Sequence, residues 1–157
     1  MPVFVTPRTW VAGEIPTAEV FNVHVRDNLL ALKDPPHVVA HRYGADYITT
    51  SPTYVDVDAT NLNFSLATHG GRLAVYVEIH SFHGSGDGGA FDVHLDGVSM
   101  MMTGEQGYGV LGSITQSWLR FTNAVAAGTH TVKLRYRRIG TTQTKMTNVH
   151  MWVREIS

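Results

Sequence analysis

The sequence contains no cysteine. Disulfide scaffolds, thiolate metal sites and cysteine nucleophiles are therefore excluded. The compartment stays open, because a large core or an oligomer can hold a protein together outside a cell without disulfides. Charge is also scarce. Only 16% of the 157 residues are Asp, Glu, Lys or Arg, and the formal net charge is −1. With no basic surplus to neutralise phosphates, nucleic-acid binding has no compositional support. No apolar run approaches the roughly 20 residues of a membrane span, so no membrane insertion is expected. Met1-Pro2-Val3-Phe4-Val5-Thr6-Pro7 lacks the charged-then-apolar design of a secretory signal. The expectation is a protein made in a cytoplasm. If it leaves the cell, it does so by another route, such as assembly into a particle released by lysis.

What is present changes character near Pro35-Pro36. Before it, Phe21, Val25, Leu29 and Leu32 recur at helical spacing and form one apolar stripe. Thr17 is a good N-cap and Glu19 falls in the first turn, where negative charge is favoured. Asp34-Pro35-Pro36 ends the helix. A helix of about four turns with so narrow a stripe is marginal alone and needs a surface to dock on. Upstream, residues 7–16 have no periodicity. Their apolar anchors, Trp10 and Ile15, are spaced by turn formers, which reads as an arm ordered by lying against something.

After Pro36 nearly everything alternates. Val55 and Val57 share a face, as do Leu62, Phe64 and Leu66. Gly70-Gly71 leads into Leu73, Val75, Val77 and Ile79, and a glycine-rich loop follows from Ser81 to Gly89. Phe91, Val93 and Leu95 point one way, and Asp96-Gly97 is a strong hairpin signal with Val98 to Met102 as the return strand. Ile114 to Phe121, Thr129 to Arg138, and Val149, Met151 and Val153 complete the pattern. Eight or nine short strands without helical interludes make a mainly β fold. The expected form is an antiparallel, jelly-roll-like β-sandwich over 37–157, preceded by an N-terminal arm and one short α-helix over 1–36.

Chemistry is harder to find. Asp92, His94 and Asp96 share one strand face, Glu78 and His80 share another, and His83 follows in the loop. Such a face could bind a divalent metal or hold a sugar. Alternation alone predicts polar residues on a solvent face, and no helical H-E-x-x-H spacing supports a metal. No metal site and no cofactor is therefore assigned. His130 sits in the apolar phase with Val132, Leu134 and Tyr136, and reads as a satisfied histidine. Lys133, Arg135 and Arg137 form the opposite, basic face, open to the carboxylates of a neighbour in an oligomer. Trp118 and Trp152, both in alternating patterns, read as core or interface anchors. None of the 13 acidic residues forms an evident catalytic pair, and Ser99, Ser113 and Ser117 lack a nucleophile elbow. No catalytic residue is assigned, and the expectation is a protein that is not an enzyme.

One segment carries a family likeness. Pro7-Arg8-Thr9-Trp10-Val11-Ala12-Gly13-Glu14, then Thr17-Ala18, Asn22, His24 and Arg26-Asp27-Asn28-Leu29-Leu30 is similar to the N-terminal segment of many minor tail and fibre-like proteins of tailed bacteriophages. It covers about 30 residues, a fifth of the chain. Ala127-Gly128-Thr129-His130-Thr131-Val132-Lys133-Leu134 resembles a turn-plus-strand segment of phage β-sandwiches and of trimeric jelly rolls of the tumour-necrosis-factor type. These resemblances imply a structural virion protein, a homotrimer, associated with the tail and joined to other virion proteins through its arm and helix. The implied attachment or oligomer interface is Trp10, Ile15, Phe21, Val25, Arg26, Asp27, Asn28, Leu29 and Leu32. Arg26 and Asp27, being adjacent on a helix, are expected to diverge and reach to other segments or subunits. Two other roles are compatible with the same features: a tip module that binds a carbohydrate or receptor on the host surface, and a capsid decoration protein. The possible ligand face is Glu78, His80, His83, Asp92, His94 and Asp96.

Overall fold

The structure, a computed structural model, describes residues 5–84, 89–100, 114–139, 141 and 143–156, with the backbone alone for 81–84 and 114. The chain divides into two compact units, Met1–Pro36 and His37–Ser157.

In the first unit the helical run begins where Thr17 accepts a hydrogen bond from the Val20 amide. It is not uniform. Ala18–Phe21 and Asn28–Lys33 are α-helical, and Asn22–Asp27 between them is π-helical. π-Type bonding adds a residue to each turn, so positions counted at α spacing drift out of line. Val25 is half-buried, whereas Phe21, Leu29 and Leu32 are exposed. The single stripe expected over Phe21, Val25, Leu29 and Leu32 is thus interrupted.

The second unit is an antiparallel sandwich. Its nine strands among the described residues are β1 (His37–Thr49), β2 (Val55–Asp56), β3 (Asn63–Thr68), β4 (Arg72–Gly84), β5 (Gly89–Leu95), β6 (Val98–Ser99), β7 (Ile114–Phe121), β8 (Gly128–Arg138) and β9 (Thr144–Ile156). One sheet has the order β1-β9-β4-β7. The other has β2-β8-β5-β6, with β3 also paired to β8. The paired strands run antiparallel throughout. Only β5 and β6 pair as consecutive strands among the described residues; β2 and β3 follow one another along β8 in the same sheet, and the other connections cross between sheets, as a jelly-roll-like path does. The β5–β6 hairpin turns on Asp96 and Gly97, with φ 51° and 83°. Both values are positive, as the tight hairpin turn favoured by Asp-Gly requires.

Alternation fixes the core. Val75, Val77, Ile79, Trp118, Val149, Met151 and Val153 face inward from the first sheet. They meet Leu66, Phe91, Val93, Val132, Leu134 and Tyr136 of the second. The sequence pattern located β7 and β8 closely. It understated β4, which runs to Gly84 into the segment read as a loop, and gave β1 no explicit limits. The return strand expected over Val98 to Met102 is observed for Val98–Ser99, and Met101 and Met102 lie outside the described residues.

Candidate functional site

The six polar residues expected to share a ligand face are not brought together. Glu78 and His80 lie on the outer side of the first sheet. Asp92 and His94 lie on the outer side of the second, so the sandwich core separates the two pairs. Asp96 belongs to the hairpin turn, and the His83 side chain lies outside the described residues. Among the described residues, no three His, Asp or Glu side chains form a group able to hold a metal ion. Alternation told each residue's phase on its own strand, but not which sheet that strand joined.

The second sheet's outer side is closed by its own charges. Asp92 is only 1% exposed and His94 8%, which overturns the expectation of a solvent face. Strand register sets Asp56, Arg135 and Asp92 side by side, with Lys133 beside His94 in the next row. Lys133 Nζ lies 3.2 Å and Arg135 Nε 3.1 Å from the Asp56 carboxylate, and Arg135 also donates to the Tyr54 carbonyl at 2.6 Å. Arg137 stacks over Tyr54, and the Tyr54 ring covers His94. The basic face of Lys133, Arg135 and Arg137 is therefore matched within its own chain, by Asp56 and Tyr54, without a neighbour's carboxylates. Burial raises the Asp92 carboxyl above its usual range, against the opposing pull of Ser99 and His94. His94 Nε2 lies 3.1 Å from the Asp92 carboxyl group. The arrangement is one that cross-links strands.

His130 is similarly satisfied. One ring nitrogen contacts the Asp96 carboxylate at 2.7 Å and the other the Ala126 carbonyl at 2.8 Å. Asp96 also accepts from the Thr131 amide. The hydrogen bond to Asp96, helped by the one to Ala126, raises the His130 pKa, and the same contact lowers that of Asp96.

The first sheet's outer side is different. Register places Val39, Trp152, Tyr76 and Leu119 in one row across all four strands, and His41, His150, Glu78 and Ser117 in the next. Tyr76 stacks on Trp152 with ring centroids 5.7 Å apart, and His41 lies 4.0 Å from His150. Glu78 accepts from the Tyr76 hydroxyl and pairs with His80, each at 3.0 Å. Val39, Leu119 and Phe121 remain about half exposed and Tyr43 more so. Burial and the neighbouring His41 and His80 lower the His150 pKa, with Glu78 opposing. The sequence pattern named Glu78, His80 and Trp152 from this face, but not the row that Val39, Tyr76 and Leu119 form with Trp152. The signal was there in the second phase of β1, β4, β7 and β9, where aromatic and aliphatic residues stand at positions expected to be polar.

The arm holds itself in shape. Val11 to Glu14 form a turn closed by the Glu14 amide on the Val11 carbonyl, with Gly13 at φ 83°. Only glycine adopts that conformation freely. Arg8 pairs with Glu14 and lies 5.0 Å over the Trp10 ring. Asn28 is buried. Its side chain accepts from the Val5 amide and donates to the Val5 and His24 carbonyls. Two expectations change here. Asn28 is committed to its own arm rather than to another subunit. Arg26 and Asp27 pair with each other at 2.8 Å, because the long arginine side chain folds back where the backbone directions diverge. Trp10, Ile15, Phe21, Leu29 and Leu32 are left exposed, Ile15 at 91%.

No protein-family model matches the sequence, and no curated protein matches it. Solved structures share part of the fold at low identity. The subviral-particle VP2 of infectious bursal disease virus aligns over 76% of this chain and 32% of its own, with 13% identity and a TM-score of 0.47. Dimeric latent PorU from Porphyromonas gingivalis aligns over 74% and 13%, with 11% identity and a TM-score of 0.36. The C-terminal carbohydrate-binding module of the laminarinase LamC from Zobellia galactanivorans aligns over 76% and 99%, with 17% identity and a TM-score of 0.32. This chain thus spans under a third of the VP2 chain. At these scores no ligand or assembly of theirs transfers to it. Among the described residues, no helix is long and apolar enough to cross a membrane.

Proposed function

We propose that this protein is a structural component of a bacteriophage virion, a homotrimer associated with the tail and attached to other virion proteins through its first 36 residues. The observation that carries the reading is the arm. The residues that bear the phage likeness are also those that preform it. Arg8, Gly13 and Glu14 close the turn, and Asn28 ties Val5 to the helix. A preformed arm loses less entropy on docking. It presents Trp10, Ile15, Phe21, Leu29 and Leu32 to a partner. An apolar set of this kind has no use on a free surface, and it suits a site on a neighbouring structural protein. The sandwich then serves as the projecting body, with no cofactor and no catalytic role.

The test uses the full chain in a phage that carries it. Ile15→Asp combined with Leu29→Asp should leave the protein folded by circular dichroism and absent from purified particles. Incorporation equal to wild type would overturn the attachment role. Imaging the labelled protein on particles separates tail from shell, and a shell position would instead favour capsid decoration.

A further inference from the structure

We infer that the outer face of the four-stranded sheet is the surface on which copies of this chain pack against one another. The inference deepens the homotrimeric reading by naming the face that such an oligomer would use. The face is large enough. Four strands about 4.8 Å apart, three of them 13 residues long and one of 8 at about 3.4 Å per residue, give a footprint of roughly 800 Å². A stable interface of standard size buries about that much on each partner. Its anatomy also fits. The row of Val39, Trp152, Tyr76 and Leu119 crosses the middle of the sheet, with Phe121 beside it. Aromatic residues mark interface centres, and charged residues are depleted there.

Charge selects a second copy over a foreign partner. In the two central rows Glu78 is the one residue among Asp, Glu, Lys and Arg, and it is engaged by His80 and Tyr76. The arginines of this face, Arg72 and Arg154, stand toward one end, where Arg72 lies over Phe121, and Lys145 pairs with Asp46 at the other. Copies around a threefold axis can therefore turn this face toward one another without stacking like charges, and there is no single-sign field to recruit nucleic acid or an anionic surface. The other sheet offers no comparable face, because its charges are matched within the chain.

The full chain is measured by native mass spectrometry and sedimentation equilibrium. Val39→Lys with Leu119→Lys adds two charges at half-exposed positions, so the fold should survive, as circular dichroism and the melting temperature would report. The oligomer should dissociate, its apparent Kd rising by at least about 100-fold. Ser65→Lys with Ala67→Lys adds the same charge at exposed positions of β3 and should leave the oligomer unchanged. An oligomer that persists in the Val39/Leu119 variant overturns the face assignment and leaves the homotrimeric reading standing. A wild-type chain that is monomeric at high concentration overturns both. Arm variants that lose incorporation but keep the oligomer separate attachment from self-association.

Discussion

The two outer faces of the sandwich are built to opposite plans. On the second sheet, Lys133 and Arg135 both pair with Asp56 across strands, Tyr54 covers His94, and Asp92 is buried. On the first sheet, Trp152, Tyr76, Leu119 and Val39 stand in a row with their apolar surface partly open to water. Both faces occupy the phase that alternation assigns to solvent. The difference teaches where each face does its work. A face whose charges are matched internally contributes to the monomer's own stability. A face of open rings and aliphatic side chains leaves apolar surface in water, which is the surface the inferred association would cover.

That contrast can be broken by mutation. Arg135→Ala should have the largest effect on monomer stability, about 2–3 kcal/mol. It leaves Asp56 with one cation fewer and the Tyr54 carbonyl without its donor. Urea unfolding should show it as a lower midpoint at unchanged slope, and a loss under about 0.5 kcal/mol would mean this network contributes little to stability. Asp96→Ala comes next, at about 1–2 kcal/mol, since it removes the acceptor for His130 and the Thr131 amide and puts alanine at a positive φ. Smallest is Leu119→Thr on the open face, within about 0.5 kcal/mol for the dissociated monomer. A large loss there would show that the open face is structural after all.

Two histidines sharpen the contrast through pH. His150, on the open face, has its pKa lowered by burial and by His41 and His80. The unfolded chain takes up that proton first, so the contribution of His150 is present above the ordinary histidine value and is lost as pH falls from there through the lower folded one. His41 and Tyr43 on β1, and Tyr76, Glu78 and His80 on β4, are the titratable groups beside it. His130 has the opposite sign. Its pKa is raised, chiefly by Asp96. Its contribution is therefore complete below the ordinary value and is lost as pH rises through the higher folded one. Urea midpoints from pH 5 to 8 should fall less steeply on acidification in His150→Gln than in wild type, and more steeply in His130→Gln. Changes of the same sign in both variants would contradict this assignment.

Much of the fold was legible because its signals are local. Asp96-Gly97 encodes its turn through backbone conformation, Thr17 encodes a helix start, and the phase of Val132, Leu134 and Tyr136 encodes an inward face. The π-helical segment Asn22–Asp27 was not legible, since Phe21, Val25, Leu29 and Leu32 read as a plain α stripe. The candidate site was less legible still. Glu78 and Asp92 look alike in alternation, yet they lie on different sheets.

By itself, then, the sequence determined the strand-rich body, its inward residues, the Asp-Gly turn and the arm that bears the phage likeness. Each of these depends on residues within a few positions of one another. The tertiary structure decided which strands became neighbours. That pairing set Arg135 between Asp56 and Asp92, and Trp152 between Val39 and Tyr76. A period of two assigns a residue to one side of its strand. Only the long-range pairing of strands decides whether that side is closed by charge or left open.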